Sequence, residues 1–593
     1  MQYTNNNFFT LAYQQGNGGA MNTNRAASFN NTRIAQYTTN AFLQYSKSYK
    51  GHSVTALAGG EFYEYRGYVN SGFAQGAPTD LIPWLTASTP PSVLGTSLIN
   101  PAGASSNFNQ WERIASAIGR VNYTYKNRYL LTGVVRMDGS SRLKKGNYFG
   151  TFPGVSVGWN VHNESFYSNL GIDKVVSSIK PRVGYGVNGN NNSLGYFATA
   201  QIYNSAGTYN GYGGTYAASY INSDVRWERT NSMNLGVDLG LIKDRVVVNF
   251  DYFVRNVFDK LAGLNISSQT GFTSFTTNLG QLQNKGVEIA LNAKIVEPKS
   301  ANGFSLDFGM NFFHVKSYAK KLPYNALPGN RTSGFFVWDP KNPGQQIYVR
   351  GLVEGQRIGL DEVWAPRWTS VYTDPSTISQ DANVYNSFMP YTNKKIKQLG
   401  DARWYQVNNN DTIDTRQFVY VGRTTPQYTG GFNLSSSYKS FRLYAQFDYA
   451  LGFVILNNYM LRGLSQVQGS QNQTTDVLKT WTPTNTNGSL PRFYWANQGR
   501  NYATDASGNN PAANFWEKGD YVMLRELTLS YDVSPTALGK YLNSYLKNVS
   551  VNITGTNLVY FSGYSGNFPE VGGVDQGKFP LPRRISIGLR ATL

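Results

Sequence analysis

The chain has 593 residues, including 42 Tyr, 33 Phe and 60 Gly, with only 15% charged; that exceeds one ordinary soluble domain and suits pleated strands joined by polar loops. There is no cysteine, and the three histidines, His52, His162 and His314, are far apart, which excludes disulfides, thiolate centres and a histidine-rich zinc site. The formal charge of +19 is scattered, its densest groups, such as Arg142, Lys144 and Lys145, read as loop tips, and without a groove-entering helix it does not point to nucleic acid.

No run of about 18 apolar residues exists, so no membrane-crossing helix is expected. A barrel is still allowed, because its strands satisfy one another and half of each faces water. The start, Met1-Gln2-Tyr3-Thr4, carries no basic-then-apolar leader, which for an exported protein implies a missing beginning.

Taken in order, Tyr123, Tyr125 and Tyr129 flank a short turn where an aromatic membrane girdle would lie. Gly154-Val155-Ser156-Val157-Gly158 spells a hydrolase nucleophile elbow, but Ser156 falls in an alternating strand with no strand-to-helix turn. Gly184-Tyr185-Gly186-Val187-Asn188-Gly189 spells a dinucleotide fingerprint and then runs into asparagines instead of a helix. Both readings are set aside, as is a glycosidase pair at Asp361 and Glu362, whose adjacency says nothing about the separation that mechanism needs.

Strands are expected around 233–239 and 246–254, joined tightly through Ile242, Lys243 and Asp244, and then a long link over 258–284. Val287, Ile289 and Leu291 alternate with Glu288, Ala290 and Asn292; after a short link at 297–302, Leu306, Phe308, Met310 and Phe312 alternate with polar neighbours. A very long excursion leads to Tyr428, a tight turn follows at Lys439 and Ser440, and Leu443, Ala445, Phe447 and Tyr449 alternate in their turn. The next excursion lasts until Tyr521. Val549, Val551 and Ile553, and finally Ile585, Ile587, Leu589, Ala591 and Leu593, repeat the period of two. Short turns on one rim and long loops on the other are the mark of an outer-membrane barrel, and parity gives about 16 spanning strands.

Several segments, in order, resemble the TonB-dependent transporters of the SusC/RagA type. Arg136-Met137-Asp138-Gly139-Ser140-Ser141-Arg142, with Gly150-Thr151-Phe152-Pro153 and Gly158-Trp159, is similar to that family's RxDGSSRF…GxFP…GW region. Lys180 to Asn190, Trp227-Glu228, Asn278-Leu279-Gly280 and Asn284-Lys285-Gly286-Val287-Glu288 resemble further pieces. So do Trp481-Thr482-Pro483, Pro491-Arg492, Tyr521-Val522-Met523-Leu524-Arg525, Gly555-Thr556-Asn557-Leu558, Pro569-Glu570 and Phe579-Pro580. The motifs read as barrel architecture, with Asp138-Gly139-Ser140-Ser141 as loop-tip chemistry in which Gly139 can take positive φ.

The expected fold is therefore all-β, a transmembrane antiparallel β-barrel with long extracellular loops, as one domain over 1–593. The resemblance implies an incomplete barrel, about 16 of roughly 22 strands, with the N-terminal plug and first strands absent from this chain. It further implies an integral protein of the bacterial outer membrane, surrounded by lipid, importing a bulky oligosaccharide, glycan or peptide. The partners implied are a SusD-like surface lipoprotein and, through the plug, TonB. No catalysis, cofactor or metal is expected. Where the family often carries a calcium-like loop, at Gly400-Asp401 to Asp414, Gln406 and Asp411 break the pattern and leave Asn408, Asn410 and Asp414 as weak ligands. Trp338, Trp364, Trp404 and Trp495 are the expected substrate contacts, since indole faces stack on sugar rings. A surface-exposed β-rich adhesin without transport is the alternative.

Overall fold

The computed structural model describes residues 2–12, 26–74, 103–209, 212–300, 302–388, 394–409, 412–465, 473–494, 499–502, 511–533, 539, 546 and 548–592, so Leu593 lies outside the described residues. Among the described residues, sixteen long strands form one sheet whose order follows the chain. They are β1 (Gln2–Ala12), β2 (Ala26–Tyr49), β3 (His52–Ala74), β4 (Gly103–Tyr125), β5 (Tyr129–Ser140), β6 (Phe149–Trp159), β7 (Val176–Asn190) and β8 (Glu228–Leu241). Then come β9 (Val246–Asn265), β10 (Ser274–Val296), β11 (Ser305–Lys321), β12 (Tyr428–Tyr438), β13 (Phe441–Leu451), β14 (Tyr521–Val533), β15 (Asn548–Ser562) and β16 (Arg584–Thr592). No helix among the described residues is long and apolar enough to cross a membrane. Two compact units are distinguished, Met1–Asn160 with Arg182–Asn234 and Arg255–Leu282, and Val161–Pro181 with Leu235–Val254 and Gln283–Leu593; β7 to β10 run through both.

In the first unit, β2 to β6 are paired antiparallel, β2 with β3 through a tight hairpin at Lys50 and Gly51, both at positive φ, as primed hairpin turns require. One sheet face carries Leu43, Val121, Val135, Val155 and Val157, all exposed. The opposite face carries polar groups such as Asn122, which accepts from Thr132 Oγ1 at 3.0 Å. Apolar side chains that stay exposed along a whole strand suit hydrocarbon, not water. Register then places Tyr49, His52, Tyr125, Tyr129 and Trp159 side by side on five successive strands. Ring centroids are 4.6 Å apart for His52 and Tyr125, 6.5 Å for Tyr125 and Tyr129 and 6.4 Å for Tyr129 and Trp159. This row lies at the short-turn end, where the sequence placed a girdle.

Three local expectations are corrected. Gly139 is an extended strand residue, not a left-handed turn; a Cβ there would strike the Phe149 ring, and the reversal comes later, with Gly146 at φ 101°. Arg142 does lie in the turn after β5, but it is buried, 9% exposed, and not a solvated tip. The link over 258–284 is mostly strand, because β9 continues to Asn265 and β10 begins at Ser274. Backbone ladders continue beyond the bilayer, where side chains no longer need to alternate. Ser156 pairs within β6 and β5, opposite Thr132, and the 184–189 glycines lie within β7.

In the second unit, β11 to β16 pair antiparallel in order. Phe432 stacks on Phe447 at 4.6 Å across β12 and β13, and Ile585, Ile587 and Leu589 of β16 are about three-quarters exposed, at 75%, 77% and 73%. Lys439, at φ 52°, reverses the chain between β12 and β13. The turn after β8 is unusual, since Ile242, Lys243 and Asp244 are all left-handed, at φ 53°, 57° and 59°. Each such residue costs about 1 kcal/mol or more. Asp244 offsets this through β7: its backbone N–H donates to Ser177 Oγ at 2.7 Å, while the Ser177 and Ser178 hydroxyls donate to its carboxylate at 2.8 and 3.0 Å.

Candidate functional site

The motif residues come first, because the structure shows what they hold. In the first unit Asn190 Nδ2 donates to Glu228 Oε2 at 2.9 Å, and Glu228 Oε1 accepts from Lys260 Nζ at 2.9 Å and from the Leu261 N–H at 2.8 Å. Beside it, Trp227 meets Phe152 edge-on at 5.5 Å and donates its indole N–H to the Tyr148 carbonyl at 3.0 Å. Asn278 grips the Arg226 backbone on both sides, accepting from its N–H and donating to its carbonyl, each at 2.9 Å. Arg142 donates to Glu112 at 2.8 Å and to the Leu194 carbonyl at 2.7 Å, and covers the Tyr196 ring at 4.4 Å. Motifs scattered over 136–280 thus form one clamp on the loop that follows β7. Their chemistry is spent on the protein itself.

The second unit repeats the device. Arg525 lies at a β-bulge in β14, where one extra residue re-aims a side chain. It binds Asp448 through Nε and Nη2 at 2.6 and 2.7 Å, Glu570 at 2.6 Å and Asn557 at 3.2 Å. Gly400, at φ 89°, packs under Trp481 and Arg492, where any Cβ would collide.

What is left for recognition lies in the long excursions of the second unit, 322–427 and 452–520. The first builds hairpin Phe335–Trp338 with Gln346–Val349, pairs Glu362–Ala365 with Val419–Arg423, and pairs Trp368–Val371 with Ala402–Trp404. The four expected tryptophans fare differently. Trp404 is 7% exposed in an apolar cluster with Val384, Leu464, Tyr502 and Phe515, so its faces are already covered. Trp338 is half-buried beneath the Arg416 guanidinium, 5.5 Å from its ring. Trp364 meets Tyr420 edge-on at 5.4 Å and donates its N–H to Glu362 at 3.2 Å. Trp495 lies outside the described residues.

Tyr420 and Arg423 were not expected. Tyr420 is 52% exposed beside Trp364, and Arg423, 9% exposed, holds Asp361 and Glu362 together, the latter at 2.7 Å. No local pattern marks them, because their partners lie about sixty residues away in the chain, at separations of 62 and 61. Farther along the same segment, burial and then the hydrogen bond to Asp381 at 2.8 Å push the Tyr372 phenol up from its ordinary pKa.

Among the candidate ligands of the calcium-like loop, Asp414 is already engaged. Both Asp414 oxygens are taken by Arg416, whose Nε lies at 3.1 and 2.9 Å, and Asn410 and Asp411 lie outside the described residues. The organising group is Gln417, 1% exposed. Its carbonyl oxygen accepts from the Val407 and Asn408 N–H groups at 2.7 and 3.1 Å, and its amide donates to the Asn408 and Thr412 carbonyls at 2.7 and 3.1 Å. A neutral amide closes the described part of the loop from both sides, the place a cation holds in a calcium loop.

No protein-family model matches the chain. It is 27% identical over 581 residues to TonB-dependent receptor P3 of Formosa agariphila, covering 95% of the chain and 53% of that protein. It is 26% identical over 576 residues to TonB-dependent receptor SusC of Bacteroides thetaiotaomicron, covering 94% and 50%. The chain therefore spans about half the length of the curated relatives it matches. Among solved structures it is similar to the RagAB peptide importer in its open-open state, with a TM-score of 0.74 at 20% identity, over 100% of this chain and 58% of the other. That likeness shows the fold, all-β and of the β-barrel type.

Proposed function

Because this chain is related along nearly its whole length to TonB-dependent receptors of the SusC type, we propose that it forms the wall and extracellular loops of an importer for a bulky nutrient, an oligosaccharide, glycan or peptide. The observation that carries this reading is the alignment over 95% of the chain with a TonB-dependent receptor, on a wall of exposed apolar strand faces. The chain performs no covalent chemistry in it. Energy comes from TonB acting through a plug, and a SusD-like surface lipoprotein covers the long loops; the likeness to the RagAB peptide importer keeps peptide beside glycan as cargo. Substrate contact is assigned to Trp364 and Trp338. Trp404 acts behind them as packing, and Trp495 completes the set of tryptophans.

The test has two parts. Disrupting the gene should abolish growth on one class of oligosaccharide or peptide while growth on monosaccharides or free amino acids continues; undiminished growth on every polymeric nutrient would remove the proposal. In the intact protein, Trp364→Ala with Trp338→Ala should weaken uptake of that cargo about tenfold, as loss of one or two stacking faces does. A fully soluble monomer, by membrane fractionation, would favour the adhesin instead.

A further inference from the structure

On the second unit, a pocket of about 390 Å³ is lined by Lys316, Arg357, Arg423 and Lys518, with His314, Tyr428 and Asp520. Its charges are not equally engaged. Arg423 is neutralised by Asp361 and Glu362, and Asp520 Oδ1 accepts from the Gly452 and Phe453 N–H groups at 2.6 and 3.4 Å. Arg357 bonds the neutral side chain of Gln427. Among the described residues, Lys316 and Lys518 enter no ion pair. Counted together, the four cations Lys316, Arg357, Arg423 and Lys518 meet three carboxylates, Asp361, Glu362 and Asp520, all already hydrogen-bonded, and the surplus is one positive charge.

Position says which anion. His314 is paired in register with Tyr428 and stacked on it at 4.9 Å, and its Nδ1 lies 2.7 Å from the Gln427 carbonyl. By strand parity His314, Lys316 and Tyr428 belong to the face of Met310, Leu434 and Leu443, which are 37%, 36% and 44% exposed. The other face bears Asp307, Asn311, Asn433, Gln446 and Asp448. The pocket's three strand residues are thus on the apolar, lipid-facing side, not the polar one, while Tyr420, Arg423 and Lys518 close it from the loop strands. Height follows from β12, whose 11 residues separate Tyr428 from the tight turn at Lys439. At a rise of ~3.4 Å and a tilt of ~40°, they climb about 29 Å, just past an apolar band of about 25 Å. The pocket stands where headgroups of the outer leaflet begin, and an aromatic pair marks that level as girdles do.

We propose that this pocket seats the phosphate of an outer-leaflet glycolipid, with Lys316 and Lys518 as the charges that meet it and Arg357 as a further donor. The inference rests on the outer-membrane placement of the chain. Basic pockets at the membrane interface select anionic headgroups by this charge excess.

The experiment uses the purified protein in detergent and native mass spectrometry, with bisphosphorylated lipid A as probe and its dephosphorylated form as comparison. The phosphorylated lipid should bind roughly tenfold or more tightly, and Lys316→Gln with Lys518→Gln should remove that preference while the arginine pair at the same positions keeps it. Heat-dependent gel mobility of each variant reports separately that the barrel is folded and membrane-derived. Equal binding of the two lipids, or unchanged preference in a folded glutamine variant, overturns the proposal. Inorganic phosphate that binds as tightly as the lipid overturns its source, making the site one for free phosphate.

Discussion

Asn190 donates to Glu228 at 2.9 Å, joining the end of β7 to the start of β8 across the whole loop between them. Glu228 is 3% exposed and answers to Lys260 as well. A carboxylate so enclosed is stable only while its donors remain, and the donors are stable only while it remains.

Glu228→Ala should therefore destabilise the first unit by about 3 kcal/mol, since it strands Lys260 and the Leu261 N–H together. Asn190→Ala, which removes one neutral donor, should cost about 1 to 2 kcal/mol. The temperature at which the compact gel form converts to the extended one measures both. Identical transition temperatures for the three proteins would refute the clamp.

Gln417→Ala should open the loop over 406–414 by removing four hydrogen bonds from one side chain, at a cost of about 2 to 3 kcal/mol locally. Limited proteolysis of that segment should accelerate, and calcium should neither protect the original protein nor rescue the variant. Protection by calcium would mean that the loop gathers a cation after all.

Glu354 ties the segment after β11 by accepting from the Leu322 N–H at 3.0 Å and from Asn330 at 2.8 Å. The Leu322 bond first, and then Asn330, hold its carboxyl below the ordinary glutamate value. With the folded pKa depressed, its contribution is complete above the ordinary value of about 4.3 and disappears as pH falls through the lower one. Hydrogen exchange at Leu322 should rise below about pH 4, and in Glu354→Gln that pH dependence should vanish. A flat profile in the original protein would count against the tie.

Much of the wall was legible. A period of two with one apolar face is set by the lipid itself, so Leu443 to Tyr449 and Ile585 to Leu589 declare their strands from sequence alone, and the tight turns at Lys439 and Ile242 to Asp244 fall where expected. The extension of β9 and β10 was not, because beyond the bilayer no solvent contrast imposes alternation. The loop residues were least legible. Trp404 and Trp364 have the same side chain, yet one is enclosed by Tyr502 and Phe515 and the other stands beside an exposed Tyr420, a difference created only by distant segments. Arg142 looked like one of three exposed cations until Glu112 and Tyr196 enclosed it.

The left-handed reversal at Ile242 to Asp244 leans on Ser177, a residue synthesised long before it. That dependence ties two hairpins into one unit: the reversal after β8 is pegged only while β7 lies beside it. Hydrogen exchange at Asp244 in a Ser177→Ala chain would expose the missing fastening, and an unaltered rate would show that the reversal holds unaided.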